Sequence, residues 1–186
     1  MIIVLLGPPG SGKGTYASIL TKKLGIPHIS TGDLVRDEIK AGTKLGREAA
    51  EYVNKGELIP DEKILEILKN RISKQDCVKG FILDGYPRTI KQAEDLNKIA
   101  KIDVVVNLNV PDQIIIDRLG YRLTCRNCGA IYNEKTLKPK KPGICDVCGG
   151  PLYKREDDEP EVIKERLKIY REKTQPLIDF YKENGL

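Results

Sequence analysis

The stretch Gly7–Thr15, GPPGSGKGT, has the residue types of a phosphate cradle and fits the spacing G-x-x-x-x-G-K from Gly7 to Lys13. Glycines let a loop wrap closely, so that successive backbone N–H groups converge on phosphate oxygens. A helix starting behind the loop adds partial positive charge, and the lysine adds a full one. The usual pattern puts Ser or Thr directly after the lysine to hold Mg²⁺. Here Gly14 stands there and Thr15 follows. A metal travelling with the phosphates is therefore expected to be held less directly, through water, with Asp84 at the end of the apolar run FILD as the carboxylate for the task.

A second set of residues has metal-ligand spacing. Cys125-x2-Cys128 and Cys145-x2-Cys148 are separated by sixteen residues, and a glycine after each pair permits a tight knuckle turn. Four thiolates saturate tetrahedral Zn²⁺ and leave no open position, so the expected metal is structural. Two uses compete for the module. A nucleic-acid ribbon would expose basic residues, and Lys135, Lys138, Lys140 and Lys141 are available. A mobile lid would be flanked by phosphate-reading arginines, and Arg118, Arg122 and Arg155 with Gly120 fit this second use better. The lysines then read as solvated surface, and Cys77 as an ordinary small side chain.

Arginine presents a planar fork matched to phosphate. Arg36, Arg88, Arg118, Arg122, Arg155 and Arg166 stand at loop or element edges, and Arg118 and Arg122 share a face if the helix before them persists. Phosphoryl transfer between two phosphorylated partners needs such a collection. Its transition state spreads negative charge, and its nucleophile is already an anion, so no general base is required. The single histidine, His28, is read as structural.

These residues need a frame. Apolar runs at Ile2–Leu6, Ile26–Ser30, Phe81–Asp84 and Asp103–Val110 alternate with helical patterns. The helices expected are Lys13–Leu24, a stretch from Thr31 to Lys55 interrupted at Gly42 and Gly46, one from Pro60, one over Thr89–Ala100, one from Pro111, and one over Pro160–Tyr181. The alternation predicts an α/β fold with a doubly wound parallel sheet, helices on both faces and ligands at the carboxyl ends of the strands. Both loaded segments, GPPGSGKGT and DGYPRT, follow such ends. The 186 residues, 40% hydrophobic and 32% charged with a net charge of +5, exclude a disordered chain and suit an anionic ligand. The apolar run IIVLL is too short for a secretory signal core or a membrane span, and CxxC pairs suit a reducing compartment, so a cytoplasmic location is expected.

The stretches GPPGSGKGT, STGDLVR, KGELIP, FILDGYPRT with Gln92, DRLGYR, both CxxCG pairs and REDDEPEVIKERL follow one another over nearly the whole chain. In that order they resemble the adenylate kinase family, in its bacterial form with a zinc-bearing lid. The resemblance implies a P-loop NTPase core at residues 1–29, 60–120 and 159–186, a nucleoside-monophosphate-binding insert at 30–59 and a zinc-binding lid at 121–158. It implies ATP contacts from Gly10, Ser11, Gly12, Lys13, Gly14, Thr15, Arg122, Ile131 and Tyr132. AMP contacts are implied for Thr31, Arg36, Glu57, Leu58, Ile59, Gly85, Tyr86, Pro87, Arg88, Gln92, Arg155 and Arg166. Lys13, Asp84, Arg88, Arg118, Arg122, Arg155 and Arg166 are the implied catalytic set, and Cys125, Cys128, Cys145 and Cys148 the zinc ligands. The implied reaction is ATP + AMP ⇌ 2 ADP with Mg²⁺, carried out by a monomer without nucleic-acid or membrane partners. Kinases of other monophosphates, or a nucleotide- or nucleic-acid-binding module without catalysis, are the alternatives. Two features depart from the family pattern. The hinge reads RLGYRLTC, with Leu123 where a second arginine is usual, and the chain ends at FYKENGL, where members continue through a further core strand and a final helix. The strand near Val104–Val110 is then expected to carry an uncovered edge.

Overall fold

Alternate side chains of the first strand enter two different cores. In the structure, a computed structural model describing residues 1–186, β1 is Ile2–Leu6. Its Val4 and Leu6 join one large apolar cluster, and its Ile3 and Leu5 join a smaller one. The third strand, Phe81–Asp84, divides in the same way, Phe81 and Leu83 to one side and Ile82 to the other. A period of two with both faces buried is what a doubly wound sheet requires.

Four parallel strands form this sheet: β1, β2 (His28–Ser30), β3 (Phe81–Asp84) and β4 (Val104–Asn107), in the order β2-β3-β1-β4. Helix α1 (Lys13–Leu24) packs Ala17 and Leu20 on the smaller cluster. On the other face lie α2 (Thr31–Ala41), α3 (Lys44–Lys55), α4 (Asp61–Ile72) and α5 (Ile90–Ile99), with Val35, Ala49, Leu68 and Leu96 among the buried residues. A third cluster joins α6 (Asp112–Gly120) to α7 (Pro160–Ile169) through Ile115, Leu119, Ile163 and Leu167.

The expected elements form, with three differences and, at β4, the uncovered edge that was expected. Gly42 caps α2 in the left-handed conformation, as an interruption should, but Gly46 lies inside α3. A Cβ there would stand 2.1 Å from the Glu38 carbonyl oxygen, so Gly46 permits α2 and α3 to approach closely rather than breaking a helix. The long C-terminal helix is divided: after α7 comes a π-helical turn, Tyr170–Thr174, and then α8 (Leu177–Glu183). Pro176 lacks the N–H that a continuous α-helix would need there. Strand β4 is not buried on both faces. It pairs only with β1, at the sheet edge, and leaves Val104 41% and Val106 36% exposed. Finally, α6 stops at Gly120 and Arg122 opens a strand, so Arg118 and Arg122 do not share a helix face.

The cysteine module is a second sheet. Strands β5 (Arg122–Cys125), β6 (Ile131–Asn133) and β7 (Leu152–Tyr153) run antiparallel in the order β6-β5-β7. Its buried centre is Cys125, Tyr132 and Cys145. No helix of the chain is long and apolar enough to cross a membrane.

Candidate functional site

The loop after β1 turns into α1 at Gly12, whose φ of 101° is one that only glycine adopts freely. The turn brings Lys13 back over its own loop: Nζ donates to the Gly7 and Pro8 carbonyls at 2.8 Å each and lies 3.5 Å from Ser11 Oγ. Burial pushes the Lys13 ammonium down to about 8, against the opposing charge of Asp84.

Asp84 ends β3 directly beside β1, in register with Leu5. Burial raises its carboxyl, but the hydrogen bond from His28 and the charge of Lys13 outweigh this and hold it below the usual carboxylate range. His28 Nε2 lies 3.3 Å from Asp84 Oδ2, because parallel pairing sets β2 against β3. His28 is therefore part of the site rather than a purely structural residue. Nothing in the sequence pattern shows this, since the contact depends on strand register.

Cations from several elements turn into one cavity of about 1070 Å³ at the carboxyl end of the sheet. Lys13, Arg36, Arg88, Arg118, Arg122, Arg155 and Arg166 all line it, as do Gly10, Ser11, Gly12, Gly14 and Thr15. Burial, with neighbouring like charge, pushes Arg88 and Arg155 down to about 10. Carboxylates balance part of this charge. Asp158 accepts from Arg122 Nε at 2.7 Å and Nη2 at 2.5 Å. Asp157 accepts from Arg166 at 2.9 Å, and Asp33 from Arg36 at 2.5 Å. Arg155 Nε donates to Thr124 Oγ1 at 2.9 Å, and Arg118 Nη1 to the Ser11 carbonyl at 3.4 Å. The sequence reading missed Asp33, Asp157 and Asp158 as members of the site. The spacing of Asp33 to Arg36 on one helix, and the repeated acids of REDD, were available signals.

Thr31, Glu57, Leu58, Ile59, Gly85, Pro87 and Gln92 line another wall of the same cavity. Thr31 Oγ1 donates to the Gly85 carbonyl at 2.8 Å. The Gln92 amide is oriented from both ends: Oε1 accepts from the Arg88 backbone N–H at 2.7 Å, and Nε2 donates to Asp61 at 2.6 Å. Tyr86 departs from expectation. It is 1% exposed, belongs to the main core and donates its hydroxyl to the Gln92 carbonyl, so it supports the wall from behind without facing the cavity.

The cysteine sheet borders the cavity through Ile131 and Tyr132, although the Tyr132 hydroxyl points into the cysteine cluster, 3.5 Å from Cys145 Sγ. All four sulfur atoms, of Cys125, Cys128, Cys145 and Cys148, lie within 4.8 Å of one another, and all four thiols are free. The Cys125–Cys148 and Cys128–Cys145 separations are 3.4 and 3.6 Å. A tetrahedral Zn²⁺ with bonds of about 2.3 Å places its sulfurs roughly 3.8 Å apart, so the cluster fits a four-sulfur metal site. Backbone N–H groups of Asn127 and Val147 point at Cys125 and Cys145, each at 3.4 Å. Burial opposes ionisation of Cys145, yet the Tyr132 hydroxyl and the backbone N–H groups of Cys148 and Val147 pull its thiol down to about 6, toward the thiolate a metal needs.

Glycine-rich loop, lysine and parallel sheet together make the chain a P-loop NTPase, with ligands at the strand ends where such sheets bind them. The family described as Adenylate kinase matches residues 5–186. An adenylate kinase of Caldicellulosiruptor bescii is 54% identical over all of this chain and 89% of its own length. Those of Methanosarcina barkeri and Archaeoglobus fulgidus are 53% and 50% identical, over all of this chain and 88% of each relative. The chain belongs to the adenylate kinase family of nucleoside monophosphate kinases.

Proposed function

We propose that the chain catalyses ATP + AMP ⇌ 2 ADP. The observation that carries this reading is the cavity into which Lys13 and six arginines converge from α1, α2, α6, α7, β5 and the segments that follow β3 and β7. Its volume of about 1070 Å³ lies at the upper end of the roughly 300–1,000 Å³ of small-molecule sites, which suits two nucleotides meeting at their phosphates.

In this reading Gly10, Ser11, Gly12, Gly14 and Thr15 cradle the ATP phosphates with their backbone, and Lys13 supplies charge. Arg118, Arg122, Ile131 and Tyr132 complete the ATP side. Thr31, Arg36, Glu57 to Ile59, Gly85, Pro87, Arg88 and Gln92 hold AMP, with Arg155 and Arg166 reaching between the two. The AMP phosphate is already anionic, so catalysis rests on alignment and on cations placed where charge develops. Mg²⁺, carried with ATP, would be held by Asp84 through water and would neutralise phosphate charge. The depressed carboxyl of Asp84, aimed into the cavity beside Gly14, fits that role. Zn²⁺ on the four cysteines would be structural.

Residues 121–158 act as the lid, 30–59 as the monophosphate-binding insert, and 1–29, 60–120 and 159–186 as the core. Lid closure excludes water and so suppresses hydrolysis. The protein acts as a cytoplasmic monomer, without nucleic-acid or membrane partners. In support, one of the four module lysines, Lys135, is engaged locally, 3.6 Å over the Tyr121 ring. The test is ADP formation from ATP, Mg²⁺ and a panel of monophosphates. AMP is expected to be preferred, and preference for CMP, UMP or GMP would overturn the assignment.

A further inference from the structure

The joint between α7 and α8 lies against the cavity. Here the π turn closes with the Gln175 N–H donating to the Tyr170 carbonyl at 2.7 Å. Such turns are rare and recur near functional sites. Ile169, Tyr170 and Thr174 from this joint line the cavity. A helical threonine ordinarily bonds its hydroxyl to the carbonyl four residues back, which here is Tyr170. Thr174 does otherwise. Only 8% exposed, it donates Oγ1 to the carbonyl of Arg88, 86 residues away, at 2.9 Å.

Arg88 is thereby fixed at three points. Its N–H donates to Gln92 Oε1 at 2.7 Å, its carbonyl accepts from Thr174, and its Nε donates to the Gly85 carbonyl at 2.7 Å. None of these bonds uses a terminal guanidinium nitrogen, so both are left free for a ligand of the cavity that Arg88 lines. Arg88 is buried, with the like charges of Arg166 and Arg36 set against the attraction of Asp84 and Asp157, so its backbone anchors hold a charged group that burial disfavours. Gln92 restrains it from α5 and Thr174 from the joint on the opposite side of the chain.

We propose that Thr174 is a positioning residue for Arg88, its hydroxyl holding the backbone from which the guanidinium reaches the transferred phosphoryl group. The proposal rests on the reading of Arg88 as a phosphate ligand. The π turn then has a use: it gives the Tyr170 carbonyl to Gln175 and leaves the Thr174 hydroxyl to a distant partner.

The test is steady-state kinetics in both substrates, with thermal midpoints, on the full chain. Thr174→Val and Thr174→Ala remove the hydroxyl, Thr174→Ser keeps it, and Arg88→Lys checks the underlying reading. Loss of one buried hydrogen bond to a positioned group predicts a fall in kcat of about tenfold for the Val and Ala variants, with KM for ATP unchanged. Thr174→Ser should restore kcat to within about twofold of the parent. A purely structural threonine would lower the thermal midpoint and leave kcat intact. Val and Ala variants with parental kcat, beside an impaired Arg88→Lys, would overturn the positioning role alone. A Ser variant as impaired as Val would overturn it too, because the methyl would then matter and not the hydroxyl. An unimpaired Arg88→Lys would overturn the reading of Arg88 and this inference with it.

Discussion

The two sheets have strands of similar length, two to five residues each, but they are held by different means. The parallel sheet β2-β3-β1-β4 rests on a main cluster of 17 buried residues with helices on both faces. The antiparallel sheet β6-β5-β7 rests on three buried residues, two of which are cysteines. Apolar burial scales with area and is distributed, so a core of the first kind tolerates small losses anywhere. The second sheet depends on a few sulfurs at its centre. Cohesion in one region is additive, and on the proposed reading it is conditional on a metal in the other. The site lies between them, with the P-loop and Asp84 on the self-supporting side and Arg122 and Arg155 on the conditional side.

The largest expected effect tests this contrast directly. Structural Zn²⁺ in small four-ligand domains contributes about 10–16 kcal/mol of apparent binding energy. Chelation, or Cys145→Ser, should abolish hydrogen-exchange protection across β5, β6 and β7, and activity with it, while β1 and β3 stay protected. Uniform loss of protection would show that the two regions fold as one unit, and unchanged protection would show that the cysteine sheet needs no metal.

A smaller effect is expected from the opposite side. Leu83 is fully buried at the centre of β3, and Leu83→Ala should cost about 2–5 kcal/mol of global stability. Denaturant midpoints should fall by that free energy divided by the m-value, while metal affinity of the cysteine cluster, read by competition with a chromophoric chelator, stays the same. A matched fall in metal affinity would blur the distinction.

The smallest effect concerns charge. Burial holds Lys13 down to about 8 in the free protein. Its folded value lies below its unfolded one, so burying the charged form opposes folding fully below about 8, and that penalty fades as pH rises from there to the ordinary 10.5. Bound phosphate would raise the value again. Nucleotide binding should therefore take up a large fraction of a proton near pH ~8.5 and almost none near pH ~6.5. Calorimetric titration in buffers of different ionisation enthalpy measures this. Uptake that is independent of pH, or that survives Lys13→Arg, would place the proton elsewhere.

The features legible in the sequence share a physical origin. Strands β1 and β3, the loop at Gly7–Thr15 and the four cysteines are encoded locally, by apolar runs, glycine spacing and ligand spacing. The pairing of His28 with Asp84 was not legible, because it follows from register between strands far apart in the chain. Strands as short as Leu152–Tyr153 carry no periodicity of their own and exist because the knuckles hold them. Gly46 read as a helix breaker because propensity is local, whereas its use is a helix crossing. Tyr86 sat inside a matching motif, and only packing shows that it faces the core.

The pairing of Arg36, Arg122 and Arg166 with Asp33, Asp158 and Asp157 has a further consequence. On the proposed reading, a nucleotide does not enter a bare cationic pit. It enters something closer to an ion-exchange resin, already loaded with weak counterions that it must displace. The net gain on binding is then a difference between two anions competing for the same guanidinium groups, not the whole attraction of one. Such a difference is smaller than the whole attraction at these three arginines. An exchanger of that kind keeps a reaction running in both directions, because neither set of phosphates is gripped too tightly to leave.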